Sequence, residues 1–415
     1  MITKGWEEVV LEDIVDILGD GLHGTPKYDE NGEYYFINGN NLEGKIIIDD
    51  KTKKVGYEEY LKYRKELNDR TILISINGTL GKIAVYNGEN IVLGKSACYF
   101  NIKKSNSKEF VKYVMHSDQF KNYLHTHSTG TTIKNMGLKQ MRAFKFYLPP
   151  FPEQKVISKI LSDLDTKIEV NNQINKKLEE MAQAIFKQWF VDFEFPNEDG
   201  EPYKSSGGEM VESEMGEIPK GWSVHSLYDL AEYINGTSFK KDEISENKGI
   251  PIIKIAELKQ GISNTTKYCV SKKDEKYYLI NGDILFSWSG NPETSIDTFI
   301  WYRGDGVLNQ HTFKVLSTLY SNQFMYLVLK YFKPIFMKIA SNKQTTGLGH
   351  VTVSDLKRLK ITLPNQEFMR KVCYKIDSII SEIHTSNLEN NRLSELRDTL
   401  LPKLMSGEIR VPINN

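Results

Sequence analysis

The stretch EQKVISKILSDLDTKIEVNNQINKKLEEMAQAIF, residues 153–186, decides how this chain is organised. Its apolar residues recur at alternating steps of four and three, which is the heptad pattern of a helix that packs against another helix. We therefore predict a coiled-coil helix over residues 151–192. Its seam is formed by Ile157, Leu161, Leu164, Ile168, Asn171, Asn175, Leu178, Ala182 and Ile185.

Two positions of this seam, Asn171 and Asn175, are polar. They mark either a frayed, solvated stretch of helix or a polar layer that fixes the register of the pair, and the sequence leaves both alternatives open. A partner helix is predicted over residues 365–407. Its seam is Met369, Val372, Ile376, Ile379 and Ile383, and it continues less regularly through Leu393, Leu396 and Leu400.

Each helix closes one copy of a repeat that spans about half the chain, and such self-similarity indicates duplicated domains. The copies match in order at Lys4-Gly5-Trp6 and Lys220-Gly221-Trp222, at Ile72-Leu73-Ile74-Ser75 and Ile284-Leu285-Phe286-Ser287, at Thr131-Thr132 and Thr345-Thr346, and at Phe146-Tyr147-Leu148-Pro149 and Ile361-Thr362-Leu363-Pro364. The predicted fold class is α+β. Two mixed α/β domains, residues 1–150 and 218–364, are separated by two long helices that form an antiparallel coiled coil, giving a pseudo-two-fold internal repeat.

The domains contain short apolar runs, such as Ile72–Ile76 and Ile83–Tyr86, punctuated by Asn-Gly and Asp-Gly turns that are typical of strands. Between the copies, nine acidic residues lie from Asp192 to Glu217 against a single lysine, Lys204. We interpret residues 193–217 as an acidic linker and residues 408–415 as a tail.

Composition excludes several classes of protein. The 54 basic and 54 acidic residues balance, so binding to nucleic acid must depend on local clusters. No apolar run approaches the roughly 18 residues of a membrane-spanning helix, and the polar start is unlike a signal peptide, so a cytoplasmic protein with no membrane partner is expected. Cys98, Cys269 and Cys373 are too far apart for a zinc site or a redox pair, and we expect reduced, packed thiols.

Three segments resemble phosphate-binding motifs, but none is complete. Residues 19–24 fit GxGxxG, yet Thr25-Pro26 breaks the helix that should follow. In residues 39–45 the P-loop spacing is followed by Ile46 instead of the hydroxyl residue, and Gly88 lies too far from Gly94-Lys95-Ser96. His125 and His127 lack an acidic or cysteine companion, so no metal is predicted. We predict no catalytic, cofactor-binding or metal-binding residue in this chain.

Local positive charge recurs at matching places in both copies. Residues 121–149 contain five basic residues and no acidic one, and residues 333–360 contain six around Asp355 alone. Lysine and arginine beside hydroxyl side chains suit contacts to DNA phosphates, and amide, lysine and histidine side chains on loops suit base edges; a solvated charged face is the alternative. The candidate DNA-binding residues are Lys27, Asn38, Asn40, Asn77, Lys82, Lys95, Thr129, Thr131, Thr132 and Lys134 in the first copy, and Lys254, Ser287, Asn291, Gln310, His311, Lys343, Thr345, Thr346 and His350 in the second.

Taken over its whole length, the chain resembles the specificity subunits of type I restriction-modification systems. The first domain's exit, Thr129-Gly130-Thr131-Thr132-Ile133-Lys134 followed by Phe146 to Gln154, resembles the family's junction into its conserved helix. The ends of both helices and the entry to the second domain are similar too, at Leu178 to Ala182 with Trp189 to Phe193, at Met215 to Trp222 and at Leu400 to Ile409.

The resemblance implies a non-catalytic subunit that reads double-stranded DNA, binds two methyltransferase subunits and recruits restriction subunits. It places S-adenosylmethionine, ATP and Mg on those partners. It also implies a bipartite, asymmetric target with one half-site for each domain, and inserting about one heptad after Leu178 should then change only the spacer. Two alternatives stay open: a recognition subunit for a fused methyltransferase-nuclease polypeptide, and a coiled-coil scaffold whose heads bind something other than DNA.

Overall fold

The computed structural model describes residues 5–344 and 347–412, without the side chains of residues 371–373. The chain divides into two compact units. Unit 1 comprises Met1–Lys167 and Leu393–Asn415, and unit 2 comprises Ile168–Arg392. Each unit therefore contains one of the two repeated domains together with part of each long helix.

The described residues of unit 1 form ten strands. They are β1 Glu7–Val10, β2 Val15–Asp20, β3 Tyr34–Ile37, β4 Leu42–Ile46, β5 Lys54–Val55, β6 Thr71–Ser75, β7 Ile83–Val85, β8 Ile91–Leu93, β9 Ala97–Ile102 and β10 Lys145–Leu148. The first five helices of the chain are α1 Tyr57–Tyr63, α2 Lys108–His116, α3 Asp118–His127, α4 Leu138–Arg142 and α5 Phe151–Phe190, and short 3-10 helices lie at Leu11–Ile14 and Gly39–Asn41.

Unit 2 repeats this plan with additions. Its strands are β11 Met210–Ser213, β12 Gly216–Pro219, β13 Ser223–Ser226, β14 Ala231–Asn235, β15 Ile244–Ser245, β16 Ile250–Ile253, β17 Tyr268–Cys269, β18 Tyr278–Leu279, β19 Ile284–Ser287, β20 Ser289–Gly290, β21 Asp297–Ile300, β22 Gly306–Leu308, β23 Thr312–Ser317, β24 Gly349–His350 and β25 Lys360–Leu363. The helices are α6 Ile255–Gln260, α7 Pro292–Ser295, α8 Asn322–Asn342, α9 Val353–Arg358 and α10 Gln366–Met405, with 3-10 helices at Leu227–Leu230, Lys241–Glu243 and Glu275–Tyr277.

The sheets confirm the predicted duplication. In unit 1 the main sheet has the strand order β2-β9-β6-β7-β4, and in unit 2 its counterpart is β14-β23-β19-β21. A second sheet pairs β3 with β8 in parallel, just as β16 pairs with β22. In both units the strand at the start of the domain returns to pair with the strand that precedes the long helix, β1 with β10 and β13 with β25.

The strand runs predicted at Ile72–Ile76 and Ile83–Tyr86 correspond to β6 and β7. β6 is buried at every residue because it lies inside the main sheet, between β9 and β7. A strand that is covered on both faces is continuously apolar, which explains why this segment lacks the alternation of a surface strand. The same holds for its counterpart β19, which is also buried throughout.

Helices α5 and α10 run antiparallel within each unit, as predicted. In unit 1 the Arg397 guanidinium lies 2.9 Å from the Asp165 carboxylate, which also accepts a 2.6 Å hydrogen bond from the Tyr113 hydroxyl. In unit 2 the ammonium of Lys375 lies 5.8 Å from the centre of the Trp189 ring. Also within unit 2, Asn171 of α5 contacts Asn390 of α10, so partners move back along α10 as positions advance along α5. All nine seam residues predicted on α5 are buried or half-buried.

Asn171 of the seam belongs to a polar layer, which decides between the two alternatives at that position, whereas the Asn175 side-chain oxygen is buried without a partner among the described residues. Asn171 is 3% exposed, and its amide donates to the Asn390 side-chain oxygen at 2.9 Å and to the Glu389 carboxylate at 2.7 Å. The Asn390 amide in turn donates to the Asn172 side-chain oxygen at 2.9 Å. A buried amide pair of this kind favours one register, because any shift would leave buried polar groups unpaired.

Two features of the long helices and their connections differ from the sequence interpretation. Leu396, placed on the seam of α10, is 47% exposed, so that assignment is wrong. The segment interpreted as an acidic linker, residues 193–217, carries most of the β11-β12 hairpin and contributes Phe195, whose ring stacks on Trp222 at 5.0 Å. The many charged residues of the segment gave no sign of this packing, because Phe195 is buried by residues that are distant in the sequence. The tail is also attached, since Arg410 pairs with Glu153 at 2.8 Å.

Cys98 and Cys269 are buried free thiols, and burial raises the pKa of Cys98 well above its ordinary value. Cys373 lies among the side chains outside the description, as does Val372 of the predicted seam. No helix in the described part of the chain combines the length and the apolar character that a membrane crossing requires.

Candidate nucleic-acid interface

The ends of several strands meet at one edge of unit 1. Leu22, just after β2, forms a bridge with Gly94, and the Gly94 N–H donates to the Ile37 carbonyl at the end of β3 at 2.8 Å. The Ile76 N–H, just after β6, donates to the Ser96 carbonyl at 3.0 Å. These contacts bring together a group of loops that we call loop cluster 1, formed by residues 21–24, 38–41, 76–79, 94–96 and 128–135.

Asparagine side chains hold loop cluster 1 together. The Asn38 side-chain oxygen accepts a hydrogen bond from the Ser96 hydroxyl at 2.9 Å. The Asn77 amide donates to the Asn135 side-chain oxygen at 3.1 Å, and the Thr129 N–H donates to the Asn135 carbonyl at 2.8 Å. The structure thus brings Asn38, Asn77 and the 128–135 turn into one surface, although the sequence separates them by nearly a hundred residues.

The remaining candidates of the first copy fall into three groups. Exposed side chains within loop cluster 1 are those of Asn40, Lys95, Thr129, Thr131, Thr132 and Lys134. Lys82 is half-buried beside it, and its N–H donates to the Ser75 hydroxyl at 2.8 Å. Lys27 is exposed but lies beside α1, since its N–H donates to the Glu59 carboxylate at 3.0 Å. Among the described residues, no hydrogen bond or ion pair joins Lys27 to loop cluster 1.

Unit 2 builds the same edge. The Asn309 N–H donates to the Ile253 carbonyl at 3.0 Å, the Thr237 N–H donates to Leu308 at 2.9 Å, and Ser289 pairs with His350. We call the result loop cluster 2, formed by residues 236–238, 254–256, 288–291, 309–311 and 347–350. Its exposed polar side chains include the candidates Lys254, Asn291, Gln310, His311 and His350.

A glycine after the first main-sheet strand is needed in both units. A side chain at Gly21 would place its Cβ 2.1 Å from the Leu93 carbonyl oxygen, and one at Gly236 would place it 2.2 Å from that of Asn309. Only glycine permits so close an approach of two backbones. Sequence reasoning considered Gly21 only as part of an incomplete dinucleotide motif. Alignment of the two copies after β2 and β14 would have identified the pair.

Loop cluster 2 also contains an aromatic residue that sequence reasoning missed. The Trp288 indole N–H donates to the Asn235 side-chain oxygen at 3.1 Å, and its ring centre lies 6.0 Å from that of His311. The His311 ring nitrogen is 3.4 Å from the Gln310 amide. Asn291 has a local role as well, because its side-chain oxygen caps α7 by accepting from the N–H groups of the next turn.

Ser287 is a correction to the candidate set. Its side chain is fully buried at the end of β19, and its hydroxyl has no hydrogen-bond partner among the described residues. Ser287 pairs with Thr312 on the neighbouring strand. The Thr312 hydroxyl is also buried without a hydrogen-bond partner among the described residues. Because Ser287 lies between two neighbouring strands, its side chain does not reach a duplex from this position.

Lys343 is committed to an internal ion pair. Its ammonium lies 2.5 Å from the carboxylate of Asp355, which is fully buried and also contacts Arg358 at 2.5 Å. Burial raises the pKa of Asp355, but hydrogen bonds from Lys343, Thr352 and Arg358 outweigh it and hold that pKa well below its ordinary value. Thr345 and Thr346, the hydroxyl candidates that follow, lie outside the described residues.

Much of the remaining clustered charge is paired on the surface. Contacts of 2.6 to 3.8 Å join Lys145 to Glu8, Arg142 to Glu12, Lys333 to Asp297, and Lys360 to Glu214. Among the described residues, the cations without such a partner include Lys95, Lys134, Lys139, Lys254 and Lys338. Lys95 and Lys134 lie in loop cluster 1 and Lys254 lies in loop cluster 2, so each cluster contains at least one lysine whose ammonium has no ion-pair partner among the described residues.

The chemistry presented at the two edges is that of hydrogen-bond readout. Asparagine and glutamine side chains match the donor and acceptor pair of adenine, and lysine matches the acceptors of guanine. Hydroxyls and lysines suit phosphate oxygens. Among the described residues no group of three or more His, Cys, Asp or Glu side chains is arranged to hold a metal ion.

Two homologous heads, each presenting polar loops at strand ends and each attached to paired helices, define a two-headed recognition protein. The family model for the type I restriction modification DNA specificity domain matches the chain twice, over residues 3–180 and 219–396. The chain belongs to this family.

Relatives and solved structures agree with this placement. The type I restriction enzyme MjaIX specificity subunit of Methanocaldococcus jannaschii is 26% identical, over 99% of this chain and 95% of its own. The type I restriction enzyme HindI specificity subunit of Haemophilus influenzae is 26% identical over 68% of this chain and 72% of its own. A crystal structure of the type I restriction-modification S subunit from M. genitalium aligns with a TM-score of 0.53 and 17% identity over 96% of each chain, which establishes likeness of fold.

Proposed function

We propose that this chain selects the DNA sequence on which a type I restriction-modification complex acts. Loop cluster 1 reads one half-site and loop cluster 2 reads the other, so the target is bipartite and asymmetric. The chain itself contributes recognition and no catalysis. It docks two methyltransferase subunits and restriction subunits, which supply S-adenosylmethionine, ATP and Mg. Relatives of similar length are named as specificity subunits of type I restriction enzymes, which supports this assignment.

One observation carries the proposal: equivalent backbone positions in the two heads bear different polar side chains. Asn38 follows β3 where Lys254 follows β16. Lys95 follows the bridge residue Gly94 where Gln310 follows the bridge residue Asn309. A duplicated scaffold with different donors and acceptors is what two unlike half-sites require, because each base pair presents its own pattern in the major groove.

The proposal is tested by selecting bound duplexes from a random library, using the full chain assembled with its methyltransferase subunits. Enrichment should give two short specified blocks separated by a spacer. Lys95→Ala should relax the preference within one block and Gln310→Ala within the other, by about 1–3 kcal/mol at the base pair concerned. Lys104→Ala, an exposed lysine outside both loop clusters, is the matched control and should leave both blocks unchanged.

Two results would contradict the proposed function. Absence of any enriched sequence for the assembled wild-type protein would favour a scaffold whose heads bind another kind of ligand. One variant that altered both blocks at once would contradict the assignment of one half-site to each head.

A further inference from the structure

A groove of about 660 Å³ lies in unit 1 between α3 and α4, outside loop cluster 1. Its apolar floor is formed by Tyr123 and Phe144. The polar side chains along its walls are those of Gln119, Asn122, Thr126, His127, Lys139, Gln140 and Lys145. Lysine, histidine and amide side chains line it, and no aspartate or glutamate is among its lining residues.

The positive charge in this groove is available. Lys139 is exposed and has no ion-pair partner among the described residues. Lys145 lies 3.5 Å from Glu8, but both side chains are more than half exposed, and such surface pairs contribute little. Both amines can therefore turn to an anionic ligand at small cost.

The walls are held in place by contacts between the two helices and the strand that follows them. The Tyr123 hydroxyl on α3 donates to the Gln140 carbonyl on α4 at 2.8 Å. The Gln119 amide donates to the Lys145 carbonyl of β10 at 3.0 Å. The Tyr123 ring also stacks on His127 at 4.1 Å. The groove is thus formed before any ligand arrives, which lowers the entropy lost on binding.

The groove lies next to loop cluster 1. Helix α3 ends at His127, and the chain passes directly into the 128–135 turn of loop cluster 1. Ten residues of helix span about 15 Å, or roughly four base pairs of duplex. A duplex seated on loop cluster 1 therefore passes within reach of a basic surface that contains no base-reading loop.

We propose that this groove binds phosphates of the DNA backbone beyond the base pairs that loop cluster 1 reads. The inference rests on the proposed function and adds a second contact area to the first head. Continuity with loop cluster 1 favours DNA over an acidic segment of a partner protein. Phosphate contacts of this kind position a protein on the duplex without adding sequence information.

Phosphate ethylation interference on the target duplex tests the proposal, because ethylation removes the charge of one phosphate at a time. With the assembled wild-type protein, ethylation at phosphates just outside one half-site should weaken binding. With Lys139→Glu the same ethylations should have no effect. Overall binding should weaken by about three- to tenfold, and the salt dependence should fall by about one phosphate equivalent. Asn122→Glu, at an exposed position, should act in the same direction.

Controls separate this inference from the proposed function. Lys104→Glu, which introduces the same charge away from the groove, should retain the wild-type interference pattern. An unchanged pattern in Lys139→Glu would overturn the inference, and so would interference confined to the half-sites in the wild-type protein. Loss of partner assembly with DNA binding intact would assign the groove to a protein instead. None of these results would affect half-site recognition, which is tested separately by duplex selection.

Discussion

Ser75 and Ser287 occupy equivalent buried positions at the ends of β6 and β19, yet only one is satisfied. The Ser75 hydroxyl donates to the Thr79 carbonyl at 2.6 Å and accepts from the Lys82 N–H at 2.8 Å. The Ser287 hydroxyl has no described partner. A buried hydroxyl that makes no hydrogen bond has lost its hydration without compensation, whereas a paired one stabilises the fold.

We expect opposite effects of one substitution at these two positions. Ser75→Ala should lower the free energy of unfolding by about 1–3 kcal/mol, because it leaves the Lys82 N–H without its acceptor. Ser287→Ala should leave it unchanged or raise it. Thermal unfolding of the two variants measures the difference. A larger loss for Ser287→Ala than for Ser75→Ala would show that the Ser287 hydroxyl has a partner after all.

We expect different roles for Lys134 and Lys343: the first contacts DNA, and the second stabilises the fold. Lys134 is exposed in loop cluster 1 without an ion-pair partner among the described residues, so Lys134→Ala should weaken binding equally on target and non-target duplexes and reduce the salt slope by about 0.9. The unfolding midpoint should not move. Lys343→Ala should lower the thermal unfolding midpoint, because it leaves the buried carboxylate of Asp355 in unit 2 with fewer hydrogen-bond donors.

Binding titrations at several salt concentrations, paired with thermal unfolding, check both expectations. A change of sequence preference in Lys134→Ala would contradict a phosphate role for that lysine. An unaltered midpoint in Lys343→Ala would mean that Arg358 and Thr352 alone satisfy Asp355.

The long helices were predictable and the loop surfaces only partly so, for a physical reason. A heptad pattern is local and periodic, and the prediction for residues 151–192 matches α5 to within two residues at its end. The sequence allowed a polar layer as one of two alternatives but could not select it, because the hydrogen-bond partner of Asn171 is Asn390 on the other helix.

Loop residues depend even more on contacts that are distant in the sequence. The composition of the loops pointed to Asn38, Gln310 and His311, which the structure places at the loop clusters. It could not show that Ser287 is enclosed by neighbouring strands or that Lys343 is held by Asp355. Trp288 gave no local signal, because its position depends on Asn235 in another strand.

The polar layer is testable as an element. Asn171→Leu should lower the free energy of unfolding by about 1–3 kcal/mol, because it leaves the buried Asn390 oxygen without its donor. Replacing both residues with leucine should recover that loss, since apolar partners pack in the seam, while weakening the preference for one register. A double-mutant cycle in thermal unfolding measures the coupling. Additive effects of the two substitutions would contradict a direct amide pair.

At the scale of the whole molecule, an insertion into the two long helices tests whether they set the spacer between the half-sites. Leu178 is a poor place for an insertion, because the next residue, Glu179, accepts a 2.7 Å hydrogen bond from Tyr326 in unit 2. The unit boundaries fall instead after Lys167 in α5 and after Arg392 in α10. One heptad inserted at both places keeps the seam in phase within each unit. It lengthens the pair by about 10 Å, roughly three base pairs.

The most direct test of two heads that read separate half-sites is duplex selection with this doubly extended chain, assembled with its methyltransferase subunits, beside the wild-type protein. Both enriched blocks should keep their sequences, and only the spacer should lengthen. Exchange of residues 1–150 for another recognition domain should do the reverse, changing one block and keeping the spacer. A single continuous block in the wild-type selection, or altered half-site sequences after the helix extension, would contradict the account.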